Sequence, residues 1–382
     1  MQALLQRGVR WFDFSEVYGS WLGPPAPSGT LTRDMTLRTP RDAHDEACID
    51  RRSLMRLGLG GLAGSAAVAG LSSASLAAPI AAPNAAPNPA PNPAFGPARS
   101  LRFAHLTDIH LFDERNAPAG FAAALRHVQE SPQSAELVIT GGDLIFDSFE
   151  TGLGVARDRW DLFTRMLREH LRVPVEHCLG NHDLWGWCAA KCGSHGDERE
   201  YGSGLARQAL GISADYRSFD RGGWHVVLLQ SVAKDPADDC GYLGLLGEEQ
   251  TAWLEADLAA TTLPTVVVSH IPIVSVTPFV RGSGYRGANN RGTISGGLLH
   301  LDAQPIHAIL RRTGRVKLVL SGHMHLIDRC EADGITYCCD GAVSGGWWKA
   351  NDNHCPPSYA LIDLFDDGTF NHRMVEFGWT NA

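Results

Sequence analysis

The sequence predicts a layered α/β domain over residues 100–382, preceded by segments that build no core. Three observations lead there. Short apolar, β-branched runs recur along the chain and alternate with stretches of helical periodicity. Five of these runs end on a polar cluster, at the place where open α/β sheets collect ligand-binding side chains. A Pro/Ala/Asn repeat separates all of this from the N-terminal part.

Residues 1–49 mix Trp11, Trp21, Pro24, Pro25 and Pro27 with scattered charges and hold no period, so they read as an unstructured or mis-assigned extension. Residues 50–78 open with Asp50-Arg51-Arg52-Ser53-Leu54-Met55-Arg56 and continue through a mildly apolar Gly/Ala-rich run from Leu57 to Leu71. Paired arginines, a weak hydrophobic region and a small-x-small site near Ser75 to Ala78 resemble a twin-arginine export signal. The run holds too many Gly, Ser and Ala for a stable membrane span. Such signals act near a chain start, so Met35 is the expected initiator and residues 1–34 upstream sequence. Export to the periplasm or beyond is the expected location. Residues 79–99, with Ala82-Pro83-Asn84, Ala86-Pro87-Asn88 and Ala90-Pro91-Asn92, form a semi-extended tether.

At 382 residues, 44% hydrophobic and 20% charged, the chain can bury one large core or two small ones. Its formal charge of -9 argues against a nucleic-acid polymer as partner. Small anionic substrates are still admitted, because bound cations would reverse the local field.

Within the domain, strands are expected at Leu101 to Leu106, Leu137 to Thr140, Val173 to Leu179, Trp224 to Gln230, Val266 to Val268, Val316 to Leu320 and Gly334 to Cys339. Tyr359 to Phe365 and Thr369 to Phe377 form a hairpin around Asp366-Asp367-Gly368. Helices are expected at Gly120 to Gln129, Val155 to Leu171, Glu248 to Leu258 and Pro305 to Arg312. Two stretches, Leu184 to about Tyr216 and Pro278 to Gly297, lack period and are expected to be irregular loops at a substrate mouth.

The polar clusters at the strand ends are Asp108-Ile109-His110, Gly142-Asp143, Gly180-Asn181-His182-Asp183, His270 and Gly322-His323-Met324-His325. Two carboxylates, an amide oxygen and four imidazoles, leaving His182 aside, make a mixed O/N set suited to first-row divalent metals such as Mn, Fe or Zn rather than Ca or Mg. Asp-x-His alone means little, since Asp42-Ala43-His44 and Asp352-Asn353-His354 repeat it. Gly-Asn-His-Asp and Gly-His-x-His each occur once.

In this order the clusters resemble the calcineurin-like metallophosphoesterase superfamily over about residues 100–345. The resemblance implies a four-layer α/β/β/α sandwich of two mixed sheets. It implies two metal ions, one held by Asp108, His110 and His325, the other by Asn181, His270 and His323, with Asp143 bridging. Two cations about 3.5–4 Å apart hold a phosphoryl group and lower the pKa of a shared water, which attacks phosphorus in line. His182 takes the place of the leaving-group acid. Asp147 is a candidate to orient it; an ordinary loop acid is the rival reading. Purple acid phosphatases carry a tyrosine ligand where Phe146 stands, and the protein serine/threonine phosphatases carry motif arginines that are absent. The bacterial phosphodiesterase-like branch is the better match. The implied function is hydrolysis of a small phosphodiester or phosphomonoester. The alternatives are a phosphatase of nucleotides or sugars, or a non-catalytic metal-binding protein on the same fold.

Outside that set, Asp183 reads as a turn cap, and His105, His177, His300 and His307 as packed or surface residues. Trp347-Trp348 suits either stacking on a base or sugar, or aromatic packing. Cys188 and Cys192 are expected to staple their loop as a disulfide.

Overall fold

The structure, a computed structural model, describes residues 96–280, 285–288, 291–349 and 355–380. The 1–49 extension, the twin-arginine-like segment and nearly all of the tether lie outside the described residues. So do Arg281 and the Asp352-Asn353-His354 triplet.

The chain runs β1 (Arg99–Leu106), α1 (Ala117–Glu130), β2 (Leu137–Gly141), α2 (Leu153–His170) and β3 (Val175–Cys178). It continues through short helices α3 (Ala189–Cys192) and α4 (Gly204–Leu210), then β4 (Arg217–Arg221), β5 (Trp224–Leu228), β6 (Val232–Lys234), β7 (Tyr242–Gly244), α5 (Gly247–Ala260) and β8 (Thr265–Val268). The last part holds α6 (Thr277–Val280), β9 (Tyr285–Ala288), β10 (Arg291–Ile294), α7 (Ala303–Arg312), β11 (Val316–Ser321), β12 (Asp328–Ala332), β13 (Ile335–Cys339), β14 (Ser358–Phe365) and β15 (Phe370–Glu376).

Strands alternate their side chains between two faces, and here both faces of each sheet are apolar. Val226 and Leu228, Val266 and Val268, and Leu318 and Leu320 face Phe103, Ile139, Ile362 and Leu364 of the other sheet. Their neighbours Val227, Val267 and Val319 face away, onto Leu254 and Leu258 of α5 and Ile306 and Leu310 of α7. On the far side Ala104, Leu106 and Val138 pack on Phe121 and Leu125 of α1 and on Trp160 and Phe163 of α2. Two sheets, ordered β15-β14-β1-β2-β3 and β12-β13-β11-β8-β5-β4, thus lie between helical layers. This is the four-layer sandwich that the resemblance implied.

Pairing is parallel for β1, β2 and β3 and for β5, β8, β11 and β13, so their carboxyl ends share one edge of each sheet. The antiparallel additions use tight turns. Gly222-Gly223 and Asp333-Gly334 both have positive φ, as two-residue hairpins with the twist of flanking strands require. No helix among the described residues is long and apolar enough to cross a membrane.

Three expectations are corrected. The stretch from Leu184 to Tyr216 is not irregular throughout: it holds α3 and α4 and is closed by Trp185 and Gly202, which exchange backbone hydrogen bonds of 2.9 and 2.7 Å. The stretch from Pro278 to Gly297 carries the β9–β10 ribbon. Cys188 is bonded to Cys240, not Cys192. The reason is local: Cys192 lies one helical turn past Cys188, its N–H bonding the Cys188 carbonyl at 3.0 Å, and its side chain belongs to the core under α2 and α4.

Candidate metal centre

Each cluster is delivered by the segment that leaves a parallel strand: Asp108 and His110 after β1, Asp143 after β2, Asn181 and His182 after β3, His270 after β8, and His323 and His325 after β11. Backbone hydrogen bonds tie these segments together. Asp108 N–H donates to Gly142 O (3.0 Å), His110 N–H to Asp143 O (2.9 Å) and Gly322 N–H to His270 O (3.0 Å). The Asp108 carboxylate accepts from His323 N–H, and that of Asp143 from His182 N–H at 2.8 Å. Approach this close excludes Cβ atoms: a methyl on Gly322 would overlap the Thr107 hydroxyl and the Asp108 carboxylate.

Five of the seven predicted metal-binding residues, Asp108, His110, Asp143, His323 and His325, have φ between 45° and 68°. Non-glycine residues rarely adopt that left-handed region, at a cost of about 1–3 kcal/mol each where the surroundings enforce it. Nothing in the sequence signals this. The surrounding hydrogen bonds hold the chain in a conformation that aims the side chains inward.

The donors gather in two groups. Asp108, His110 and His325 form one, and Asp143, His270 and His323 the other, each with ligand atoms within 4.8 Å of one another. In the first, His110 Nε2 stands 3.0 Å from His325 Nε2, and Asp108 Oδ1 lies 3.3 Å from the latter. In the second, His270 Nε2 is 3.2 Å from both Asp143 Oδ2 and Asn181 Oδ1. Asp143 also lies 3.6 Å from His110, between the groups.

These residues fit divalent cations. The His270 and His325 Nδ1–H groups donate to the Gly141 and Gly345 carbonyls (2.8 and 2.9 Å), which leaves each Nε2 lone pair for a metal. His323 Nε2 and His110 Nδ1 are buried with no hydrogen-bond partner in the protein. Burial pushes the His323 pKa down to about 3 and His110 well below its ordinary value, so both are neutral donors. Burial opposes ionisation of Asp143, yet His270 and His182 outweigh it and hold the carboxyl far below its usual range. Burial likewise opposes a charge on His270, but Asp143 and Asp108 draw its pKa up to about 9. Two carboxylates in a dry site demand positive charge, which a divalent ion meets without a proton.

His182 differs from its neighbours. It lies within reach of His110 and Asp143, but its side chain is 27% exposed whereas those of His110 and His270 are fully buried. Its Nδ1–H donates to Asp147 Oδ1 at 3.1 Å. Asp147 is itself fixed by Thr151, by the Phe149 and Glu150 N–H groups, and by Arg159 on its carbonyl. Burial lowers the His182 pKa, but Asp143 and Asp147 outweigh that and raise it. Asp147 therefore does both: it meets His182, and it holds its own loop. Asp183 accepts from Leu144 and Gly180 N–H (2.8 Å each), capping the turn as expected.

His182 opens on a cleft of about 450 Å³ lined by Phe146, Asp147, Phe149, Glu150, Asn181, Cys240, Tyr242 and Trp347. Phe149, Tyr242 and Cys240 were not foreseen; only a fold brings them together. The tandem tryptophans differ in setting. Trp348 is buried, while Trp347 stacks on His110 with centroids 3.7 Å apart.

Known proteins are similar to this chain in sequence or fold. A 3′,5′-cyclic-nucleotide phosphodiesterase of Nostoc sp. is 24% identical over 286 residues, covering 72% of this chain and 91% of that protein. Among solved structures, a dimetal phosphatase from Danio rerio has a TM-score of 0.49 at 15% identity, covering 74% of this chain and 100% of the other. GAP50, the anchor in the inner membrane complex of Plasmodium, has a TM-score of 0.45 at 15% identity, covering 73% and 85%. The family description calcineurin-like phosphoesterase matches residues 101–326, the span that holds every strand end described above, and the chain belongs to that family.

Proposed function

We propose that the chain hydrolyses phosphoric esters, phosphodiesters in preference to phosphomonoesters, with His182 as the acid for the leaving oxygen. The observation that carries this is the position of His182: beside both donor groups, partly exposed, and anchored through Nδ1 on Asp147. That anchor leaves Nε2 to carry the proton. A storage protein would gain nothing from it. The phosphodiesterase likeness supports the diester preference.

Two divalent ions of Mn, Fe or Zn, held by Asp108, His110 and His325 and by Asn181, His270 and His323 with Asp143 between, would polarise the phosphoryl oxygens and acidify a water. The chain's own residues supply the rest. The Gly141 and Gly345 carbonyls orient two imidazoles, Asp147 orients the acid, and aromatic side chains line the cleft beside it. No lysine or arginine is among the described residues lining the cleft, so the phosphate finds no competing side-chain cation there.

The test is turnover of bis-p-nitrophenyl phosphate against p-nitrophenyl phosphate by the Mn-loaded full chain. The diester should be the better substrate, and His182→Ala should lower kcat by about 10²–10⁴-fold with metal content retained. Loss of metal in that variant would make His182 a ligand instead. We also propose that the chain acts outside the cytoplasm, on the strength of Arg51-Arg52 and of the Cys188–Cys240 disulfide, a bond that persists in oxidising compartments. Replacing Arg51 and Arg52 by lysine should then hold the protein in the cytoplasm, read by cell fractionation.

A further inference from the structure

Phosphate chemistry does not account for the aromatic side of the cleft. Three separate segments bring rings to it: Phe146 and Phe149 from the loop after β2, Tyr242 from β7, and Trp347 from the loop after β13. Trp347 lies flat on His110, its plane also within 21° of His325 at 5.2 Å, and meets His182 edge-on at 5.2 Å. Tyr242 reaches Phe149 and His323, each 5.9 Å away.

The backbone is strained to achieve this. Trp347 and Trp348 have φ of 60° and 59°, two consecutive bulky residues in the left-handed region. Trp348 serves the fold: it is buried, and its Nε1–H donates to the Ile109 carbonyl at 2.8 Å. Trp347 is only partly buried, and its ring contacts are His110, His182, His325 and Phe146. Arg115 locks its carbonyl at 3.0 Å. The strain at Trp347 thus serves the cleft, and that at Trp348 the core.

The charge pattern selects what such walls take. An aromatic cage for an ammonium group needs bare ring faces and an unpaired acid. Here Phe146 already carries the guanidiniums of Arg115 and Arg159, at 5.6 and 5.2 Å. Glu150 is paired with Lys191 at 2.6 Å, and Asp147 with His182. A planar uncharged ring fits these walls better than a cation.

We propose that Trp347, Tyr242 and Phe149 form a ring-binding subsite, and that the esters taken here carry a planar, uncharged heteroaromatic group, as a nucleoside does, close to the scissile phosphate. The phosphate end of this proposal rests on the hydrolase reading above; the ring subsite is separable from it. Stacking of one base on aromatic side chains is lost on alanine substitution at a cost of about tenfold to hundredfold in affinity.

The experiment compares two esters with the same scissile bond in the Mn-loaded full chain: adenosine 3′,5′-cyclic phosphate and its abasic counterpart, 1-O-methylribose 3′,5′-cyclic phosphate. The ratio of their kcat/KM values, taken within each variant, cancels any loss of metal or folded protein. Wild type should favour the base-bearing ester by about tenfold to hundredfold. The ratio should collapse toward one in Trp347→Ala, with Trp347→Phe in between. A wild-type ratio near one, or one unmoved in Trp347→Ala, overturns the subsite. If neither cyclic ester is hydrolysed, calorimetry decides, with adenosine 5′-phosphate against ribose 5′-phosphate. Tighter binding of the former, lost in Trp347→Ala, sustains the subsite; equal binding rejects it. Absence of turnover of bis-p-nitrophenyl phosphate as well would count against the hydrolase reading alone.

Discussion

Two clusters in this molecule are built from the same residue types and behave in opposite ways. The first is the Asp/His set at the strand ends. The second lies between the sheets, where Asp340, just past β13, reaches His105 of β1 and His372 of β15. In the second every strong acceptor has its donor: Asp340 Oδ2 takes His105 Nδ1 at 2.6 Å and Oδ1 takes His372 Nε2 at 2.7 Å. The two pairings join three residues across two layers. In the first, Nε2 faces Nε2 at 3.0 Å and two carboxylates compete for His270. Buried imidazole nitrogens without a hydrogen-bond partner occur in both, His323 Nε2 and His110 Nδ1 in the first and His105 Nε2 in the second. Composition and burial do not tell a ligand set from a structural network; imidazole nitrogens aimed at one another, as in the first, do.

Substitutions should separate the two clusters. Asp143→Asn should have the largest effect, with turnover falling below detection. Its metal affinity should drop by more than the 10–100-fold, roughly, that follows loss of an outer-shell partner, read by metal analysis after dialysis. In chelator it should also melt lower than wild type, because His270 loses the carboxylate that holds its charge; unchanged metal retention would break the distinction. Asp340→Asn should leave metal binding intact and act on stability alone. His372 loses its counter-charge at a cost of about 3–5 kcal/mol in urea unfolding, with metal stoichiometry unchanged.

A pH series sharpens the same contrast. Burial would lower the His372 pKa, but Asp340 outweighs it and raises it to about 10. A raised folded-state pKa stabilises fully below the unfolded value of 6.5 and is lost as pH climbs through about 10. Metal-free wild type should therefore lose stability between pH 7 and 10, and His372→Gln should be flatter over that range. Parallel curves would remove His372 as the cause. The smallest effect is expected from Asp147→Asn. The His182 ring loses its anchor and kcat falls by about tenfold, less than the 10²-fold or more, roughly, that a general acid supplies. Metal content should be unaffected.

How much of this was legible in the sequence follows from range. The strands and the gathering at their ends could be read because both signals are local: an apolar run of period two, then a polar cluster. Helix ends moved by a few residues, as for α1, which begins at Ala117 rather than Gly120. The Asp340 network was invisible, since its partners lie 235 and 32 positions away and each looks ordinary in its own strand. The Cys188–Cys240 bond, 52 residues apart, escaped for the same reason, while the nearer Cys192 drew attention by spacing alone. The left-handed backbone of Trp347, whose ring lies on His110, leaves no mark in sequence.

The left-handed backbone at Asp108, His110, Asp143, His323 and His325 also says how such a site would be lost over evolutionary time. At these positions glycine, and to a lesser degree asparagine, relieves the backbone that aspartate and histidine strain. Selection for chemistry and selection for stability pull the same codons in opposite directions. A lineage released from the first would drift toward the second and end as a sturdier protein, with the sandwich intact and the strand ends silent.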